Sequence, residues 1–467
     1  MSFTTLLLAL VAAPLLVCGV LLWRRQLLLA LPILVVLNGL PITVRGTSLR
    51  IDQLAACLLV IPLGASILSG TRRLRSDSTT WWLASLLAAN LTASLLNSPA
   101  RAYSLAQCAN LASAWVIYVL LLNFLETRQE LEVFFTRCLW AAVIASSTGI
   151  VAFGLALAGI SIGGAEVSSG AVEQLTAAYG ASGTMVEPNI FGSFNGAYLV
   201  LTGGLLATVA RRDSASPTIR LLRWTAVLTA AGLVLSFTRS AWIGATFGAA
   251  CFLLSGGRTF LIRRRRILVP VGIGCAVLLV LLLLPGSVGT FLRFKLINLV
   301  NVGSRTAALR LLTYTLALQQ LVEHPFIGWG TFTFAPLVAE GADFARFDGW
   351  RSLWIGNYLI LALHDTGVVG LVLWVGMLWS VIARGIRTTR RLRADDPEGA
   401  DRALALTSAV ASLLISFLAT TGFSLGYPWL LIGLLGAHAW SEHAPRDGLP
   451  MMVAGESSLP PRPADAT

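Results

Sequence analysis

The chain has 467 residues, 56% of them apolar and only 12% charged, with a mean hydropathy of +0.77. Soluble domains run at about 45–50% apolar and about 25% charged residues. That contrast excludes a soluble enzyme, a disordered chain and a nucleic-acid binder. A spanning helix takes about 20 apolar residues, so a dozen of them fill over half the chain and leave no room for a large soluble domain.

In chain order, apolar runs at 3–23, 26–44, 52–70, 80–97, 104–125, 132–158, 187–210, 221–237, 240–256, 267–285, 358–384, 402–422 and 426–441 predict membrane spans. Lipid offers the backbone no hydrogen-bond partners, so spanning segments are helices or closed barrels. The alternating pattern of a barrel is absent. The expectation is an all-α polytopic membrane protein, a bundle of 12–13 transmembrane helices. Both numbers stay open because insertion of the first run is not fixed by its sequence. That run ends at Arg24-Arg25. It lacks a basic leading region and a small-residue cleavage site, so it reads as a helix and not a cleaved signal. Six cysteines (Cys18, Cys57, Cys108, Cys138, Cys251 and Cys275) lie in or beside apolar runs without metal spacing, and read as small buried residues.

The net charge of +12 comes mainly from Arg in short loops. With alternating spans, 22 basic residues fall on one side and 10 on the other, with Arg446 and Arg462 left in the tail. The positive-inside rule makes the richer side cytoplasmic. The chain then divides into N-terminal helices (1–158), a core (159–385) with outer loops at 159–186 and 286–357, C-terminal helices (386–444) and a disordered cytoplasmic tail (445–467). Loops beyond about 12–15 residues are usually functional or disordered. The larger outer loop should fold over the membrane face with a helix at Thr306 to Val322, then a turn at His324-Pro325 and Gly328-Trp329-Gly330. Its aromatics, including Trp329, Phe332 and Trp354, suit an interfacial belt or stacking on sugar rings.

Three basic residues break the charge pattern. Arg239 sits in Ser236-Phe237-Thr238-Arg239-Ser240, a tight turn between two spans. Arg at membrane depth costs about 2.5–3.5 kcal/mol unless it reaches water or a partner. It is either a snorkelling helix end or an anion contact at the outer rim. Arg305 and Arg310 lie near a helix start, and Tyr314 follows Arg310 by one turn on the same face. Guanidinium groups grip phosphate oxygens in a fork, and a helix N-terminus adds backbone donors. Solvated arginines on an amphipathic helix are the alternative.

Four segments resemble the O-antigen ligase and polymerase superfamily of bacterial membrane glycosyltransferases. They are Gly183-Thr184-Met185-Val186-Glu187-Pro188-Asn189, Ser236 to Gly244, Arg310-Leu311-Leu312-Thr313-Tyr314 running to Gly328-Trp329-Gly330, and Asn357-Tyr358-Leu359 to Asp365-Thr366-Gly367. The resemblance covers roughly 180–385 and implies a GT-C-like fold. It also implies transfer of a glycan from a polyprenyl diphosphate to a sugar hydroxyl at the outer face of the bacterial inner membrane. The acceptor would be a second glycan or a glycolipid, and envelope polysaccharide-assembly proteins would be partners. The family's motif arginines map to Arg239 and Arg310, with Arg305 as neighbour. Asn189, Tyr314, Asn357 and Asp365 fall in the matching segments as substrate-binding candidates.

The residues fit that chemistry. Fixed guanidinium groups stabilise the charge of a departing diphosphate best in a dry site. No Asp-x-Asp pair suited to a metal is present, so no metal or cofactor is expected. The acceptor hydroxyl needs a base or an orienting group. Ligases of the family carry His before the Asn of the fourth segment; here that place is Gly356. Glu187 is the best carboxylate candidate, though a helix-start acid is equally well explained by the helix dipole. His364 is a buried packing residue or a displaced catalytic group, and His324 suits a solvated turn. The missing His tilts the reading towards polymerisation or a divergent transferase. A lipid-glycan flippase and a non-catalytic assembly scaffold remain the competing classes.

Overall fold

The computed structural model describes residues 3–37, 39, 42–44, 47–157, 180–185, 187–209, 216–256, 305–340 and 354–441. Side chains of 3–18, 42–44, 47–49, 157, 208–209, 305–308 and 339–340 are outside the description. The expected span at 267–285, the C-terminal tail, most of the loop at 159–186 and part of that at 286–357 also lie outside it.

Thirteen helices are described. They are α1 (Phe3–Val36), α2 (Ile51–Leu68), α3 (Ser78–Leu96), α4 (Arg101–Phe124), α5 (Arg128–Leu157), α6 (Pro188–Val209) and α7 (Pro217–Leu235). After them come α8 (Arg239–Ser255), α9 (Arg305–Leu321), α10 (Phe334–Glu340), α11 (Tyr358–Asp395), α12 (Pro397–Ser416) and α13 (Gly426–Ser441). Seven of them are long and apolar enough to cross a membrane. Of the rest, α8 has 17 residues and α13 has 16, short for a span yet packed among the others. The protein is an all-α polytopic membrane protein.

The N-terminus corrects the expectation. Runs 3–23 and 26–44 are not two spans joined at Arg24-Arg25 but one helix of 34 residues, about 51 Å long. Arginine is a good helix former, so the pair cannot stop a helix. The end of the second run folds as a hairpin, β1 (Ile42–Val44) against β2 (Thr47–Leu49), with Ile42 opposite Leu49. This pairing satisfies backbone groups before α2 begins.

Helix α12 lies against α6, α8 and α11, and α13 lies against α4. The α8–α12 contact is built from small residues. A Cβ on Gly244 would sit 2.2 Å from Ser416 Oγ, and one on Gly248 would sit 2.6 Å from Ser408 O. Such spacing lets backbones approach where lipid gives no hydrophobic drive to associate. A buried aromatic layer runs through the centre: Trp115 meets Trp374 and Trp429 edge-on, both at 6.1 Å between ring centres.

The two ends of the bundle differ in charge. At one end Arg384 pairs with Asp77, Arg128 with Asp396 and Arg72 with Glu126. At that end Arg402 also bonds Glu132, and Arg393 bonds Ser255 O. All five arginines belong to the basic-rich group of loops. Arg239, Arg310 and Arg50 belong to the opposite end, where Arg50 bonds Ser424 O at 2.6 Å.

Helix α11 runs for 38 residues, about 57 Å, but it is broken at Gly367 (φ 66, ψ −165). That region of backbone space is essentially reserved for glycine. The segment 325–330 enters the break. Trp329 N donates to His364 O at 3.0 Å, and Gly330 N to Asp365 O at 2.8 Å. Val368 N donates to Pro325 O at 2.9 Å, and Val369 N to Phe326 O at 3.2 Å. A helix would have paired those two carbonyls with those two amides. The inserted loop supplies replacements for all four, which offsets the cost of breaking a helix where water is scarce.

Candidate functional site

The end of the bundle opposite the ion-paired arginines, the outer one in the orientation expected from loop charge, is assembled from helix termini. The turn 236–238 joins α7 to α8, with Phe237 in the left-handed region (φ 49). Ala181 N donates to Leu235 O at 2.8 Å, which ties the loop before α6 to this turn. Thr238 Oγ1 donates to Pro188 O at 3.1 Å and reaches Asn189 Oδ1 at 3.5 Å. Arg239 follows directly as the first residue of α8 and is half-buried. Asn189 stands in the first turn of α6, next to Pro188.

Glu187 immediately precedes α6 and is half-buried. Its Oε1 accepts from Thr420 Oγ1 at 3.3 Å, across 233 residues of chain. Burial pushes its carboxyl above the ordinary carboxylate range. Hydrogen bonds from Thr420 and Asn189 and the charge of Arg310 pull the other way and lose.

Arg310 lies on α9 and is half-buried. It lies against Gly356: a Cβ there would stand 3.6 Å from Arg310 Nε and 3.7 Å from Ala419 O. Ala419 is the neighbour of Thr420, so Arg310, Gly356, Thr420 and Glu187 form one chain of contacts. Tyr358 N donates to Phe417 O at 3.2 Å, which docks the start of α11 on the end of α12. Tyr314, one turn after Arg310, is half-buried beside a small core of Ala317, Phe334, Val338 and Ile355. Burial raises its phenol above the ordinary range, against the pull of the Arg310 charge. Arg305 opens α9, and its side chain lies outside the described residues.

Two other candidates have their oxygens committed to the fold. Asn357 caps α11, its Oδ1 accepting from Leu359 N at 2.9 Å and Ile360 N at 3.3 Å. Asp365 is 4% exposed; its Oδ2 accepts from Phe332 N at 2.8 Å, and its Oδ1 lies 3.1 Å from His364 Nδ1. His364 is equally buried, and His324 stacks edge-on against Trp329 with ring centres 4.4 Å apart. No group of three or more His, Cys, Asp or Glu suited to a metal occurs among the described residues.

The sequence missed Thr238, Thr420 and Gln320. Thr238 stands beside a motif residue and was within reach of inspection. Thr420 carries no signal, because only folding brings the α12–α13 loop to Glu187.

A bundle with ion-paired arginines at one end, and with half-buried arginines and a carboxylate near helix starts at the other, defines a polytopic membrane protein with its candidate groups gathered at one end. Residues 224–375 match the family model described as O-antigen ligase. The matched stretch includes Arg239, Arg310, Gly356, Asn357 and Asp365; Glu187, Asn189 and Thr420 lie outside it. A comparison with curated proteins finds no match to the chain.

Proposed function

We propose that the protein is a glycosyltransferase of the bacterial inner membrane that moves a glycan from a polyprenyl diphosphate to a sugar hydroxyl at the outer face, as a polysaccharide polymerase or ligase. The observation that carries this reading is the contact chain from Arg310 through Gly356 and Ala419–Thr420 to Glu187. It sets a cation suited to phosphate beside a carboxylate suited to a hydroxyl proton, in a chain whose residues 224–375 match the O-antigen ligase family.

In this reading Arg310 and Arg239 face the diphosphate of the donor, with Arg305 as a further cation. The acceptor hydroxyl oxygen attacks the anomeric carbon of the donor glycan. The bond from that carbon to the phosphate oxygen breaks, and its electron pair leaves on the diphosphate. The guanidinium charges stabilise it without a metal. The hydroxyl proton passes to the Glu187 carboxylate. Asn189 and Tyr314 border the site as sugar contacts. Asn357 and Asp365 serve by fixing the backbone around it.

The test is to incubate purified protein with polyprenyl-diphosphate oligosaccharide and size the products by mass. Longer glycans on the same lipid identify a polymerase, and glycan on a different lipid identifies a ligase. Arg239→Ala and Arg310→Ala should each abolish transfer at unchanged membrane abundance. Full activity in both variants, or movement of unaltered donor across vesicles with no glycan transferred, removes the reading.

A further inference from the structure

Helix α9 carries Arg310 near its start and packs Tyr314 and Ala317 into the small core with Phe334, Val338 and Ile355, yet the two described hydrogen bonds that tie it to other elements lie at its far end. Gln320 provides both. Its backbone carbonyl accepts from Trp329 Nε1 at 2.7 Å, and its side-chain Oε1 accepts from His364 Nε2 at 3.0 Å. His364 is 1% exposed, and its other ring nitrogen lies 3.1 Å from Asp365 Oδ1. Asp365 in turn takes the amide of Phe332, a residue in the left-handed region (φ 57). The ring face of the same histidine is met edge-on by Phe334, the first residue of α10, at 5.6 Å.

One imidazole therefore touches three elements that surround the outer face. It binds α9 through Gln320, α10 through Phe334 and the 328–333 loop through Asp365. It sits three residues before the break of α11 at Gly367, where the inserted loop is already fixed by four backbone bonds. The break is held by those bonds, and Gln320 ties the end of α9 to it beside the apolar packing of Ala317. Arg310 lies ten residues, or about 15 Å, from Gln320 along the helix. A small rotation at the anchor becomes a displacement of an ångström or more at Arg310, and misplacement on that scale costs about 100-fold in rate.

We propose that Gln320 and His364 are positioning residues: their hydrogen bond sets the angle of α9 and so places the Arg310 guanidinium against Gly356. The activity arm of the test rests on the function proposed above; the geometric arm does not. Spin labels at Leu311 on α9 and Leu418 after α12, both exposed, report the distance between the two segments after the native cysteines are replaced. Gln320→Leu keeps the size of the side chain and removes the oxygen that faces His364. Gln320→Glu keeps that oxygen.

Gln320→Leu should broaden or shift the distance distribution and lower kcat by about 100-fold, with KM for the lipid-linked donor held within about twofold. Gln320→Glu should restore both the parental distance and kcat. A distance that changes in the Leu variant and returns in the Glu variant supports the inference even in a protein that transfers no glycan. An unchanged distance in Gln320→Leu overturns it whatever the activity, and so does an equal change in both variants.

Discussion

Substitutions at Gly356 separate the structure's account of Arg310 from a general tolerance of the site. Gly356 does not lie in the left-handed region, so a side chain there brings no backbone strain. Its added Cβ would meet Arg310 Nε at 3.6 Å and Ala419 O at 3.7 Å, both ordinary contacts. Gly356→Ala should therefore fold and transfer glycan like the parent. Gly356→Leu adds three further carbons into the space held by the Arg310 stem, and the guanidinium must leave. Losing one preorganised donor aimed at developing charge costs about 2.7–4 kcal/mol, or about 100- to 1000-fold in kcat. Arg310→Ala removes the same interaction and should lose the same amount. Mutations that remove a single shared interaction do not add. The double variant Gly356→Leu/Arg310→Ala should thus be no worse than either parent variant. The assay is single-turnover transfer from radiolabelled lipid-linked oligosaccharide, normalised to protein in the membrane. Full activity in Gly356→Leu, or losses that multiply in the double variant, would refute the placement of Arg310 as an active group.

Three further outcomes follow from other contacts. Burial raises the Glu187 carboxyl on folding, so the folded state holds its proton at pH values where the unfolded state has lost it, and stability falls as pH rises through that window. Glu187→Gln removes this loss: its melting temperature should equal the parent's near pH 4 and exceed it near about pH 8, while transfer falls by about 100-fold or more. Gly367→Ala forces a side chain into a glycine-only conformation, with its Cβ 2.3 Å from Phe326 C and O. Strain of about 1–3 kcal/mol and two displaced backbone bonds at about 1 kcal/mol each predict a loss of about 3–5 kcal/mol, read by thermal unfolding in detergent. At the opposite end, Arg384→Met leaves the buried Asp77 carboxylate without its cation and should cost about 3 kcal/mol or more with little effect on the outer site. A melting temperature equal to the parent's would show that the Asp77–Arg384 pair contributes nothing to stability.

How far the sequence could be read depends on how far away each physical cause lies. Helix α9 was expected over 306–322 and forms over Arg305–Leu321, because its amphipathic pattern is local. The α7–α8 turn was legible because Ser236 to Ser240 interrupts two apolar runs. Asn357 carried a local signal as well, since Asn before an apolar run is a preferred helix cap. The continuous α1 was misread because a charged pair in an apolar run resembles a loop, while Arg disfavours no helical bond. The break of α11 was illegible for a different reason. Gly367 alone weakens a helix by only about 1 kcal/mol; it breaks here because the segment 325–330, about forty positions earlier, supplies the four backbone partners that a bent helix lacks. Nothing near Glu187 points to Thr420.

The candidate groups at the outer end have a common electrostatic setting. Helices α6, α8 and α11 all begin there: Thr238, the residue before α8, bonds the carbonyl of Pro188 at the start of α6, and the start of α11 docks on the end of α12 beside Thr420. A helix start carries the positive end of a dipole worth about half an elementary charge, although the first amides of α11 are already taken by Phe417 O and Asn357 Oδ1. Such ends, with Arg239 and Arg310 added, suit the multiply charged donor of the proposed reaction. The same setting acts on Glu187, yet burial still dominates its carboxyl and keeps it above its ordinary range. A group of that kind holds its proton until the pH is high enough to release it and is then a stronger base than an exposed carboxylate. Anion-favouring helix ends and a desolvated carboxylate are opposed demands on one small volume. Under the proposed function, their coexistence is the physical reason to give leaving-group stabilisation to the arginines and proton removal to Glu187, and not the reverse.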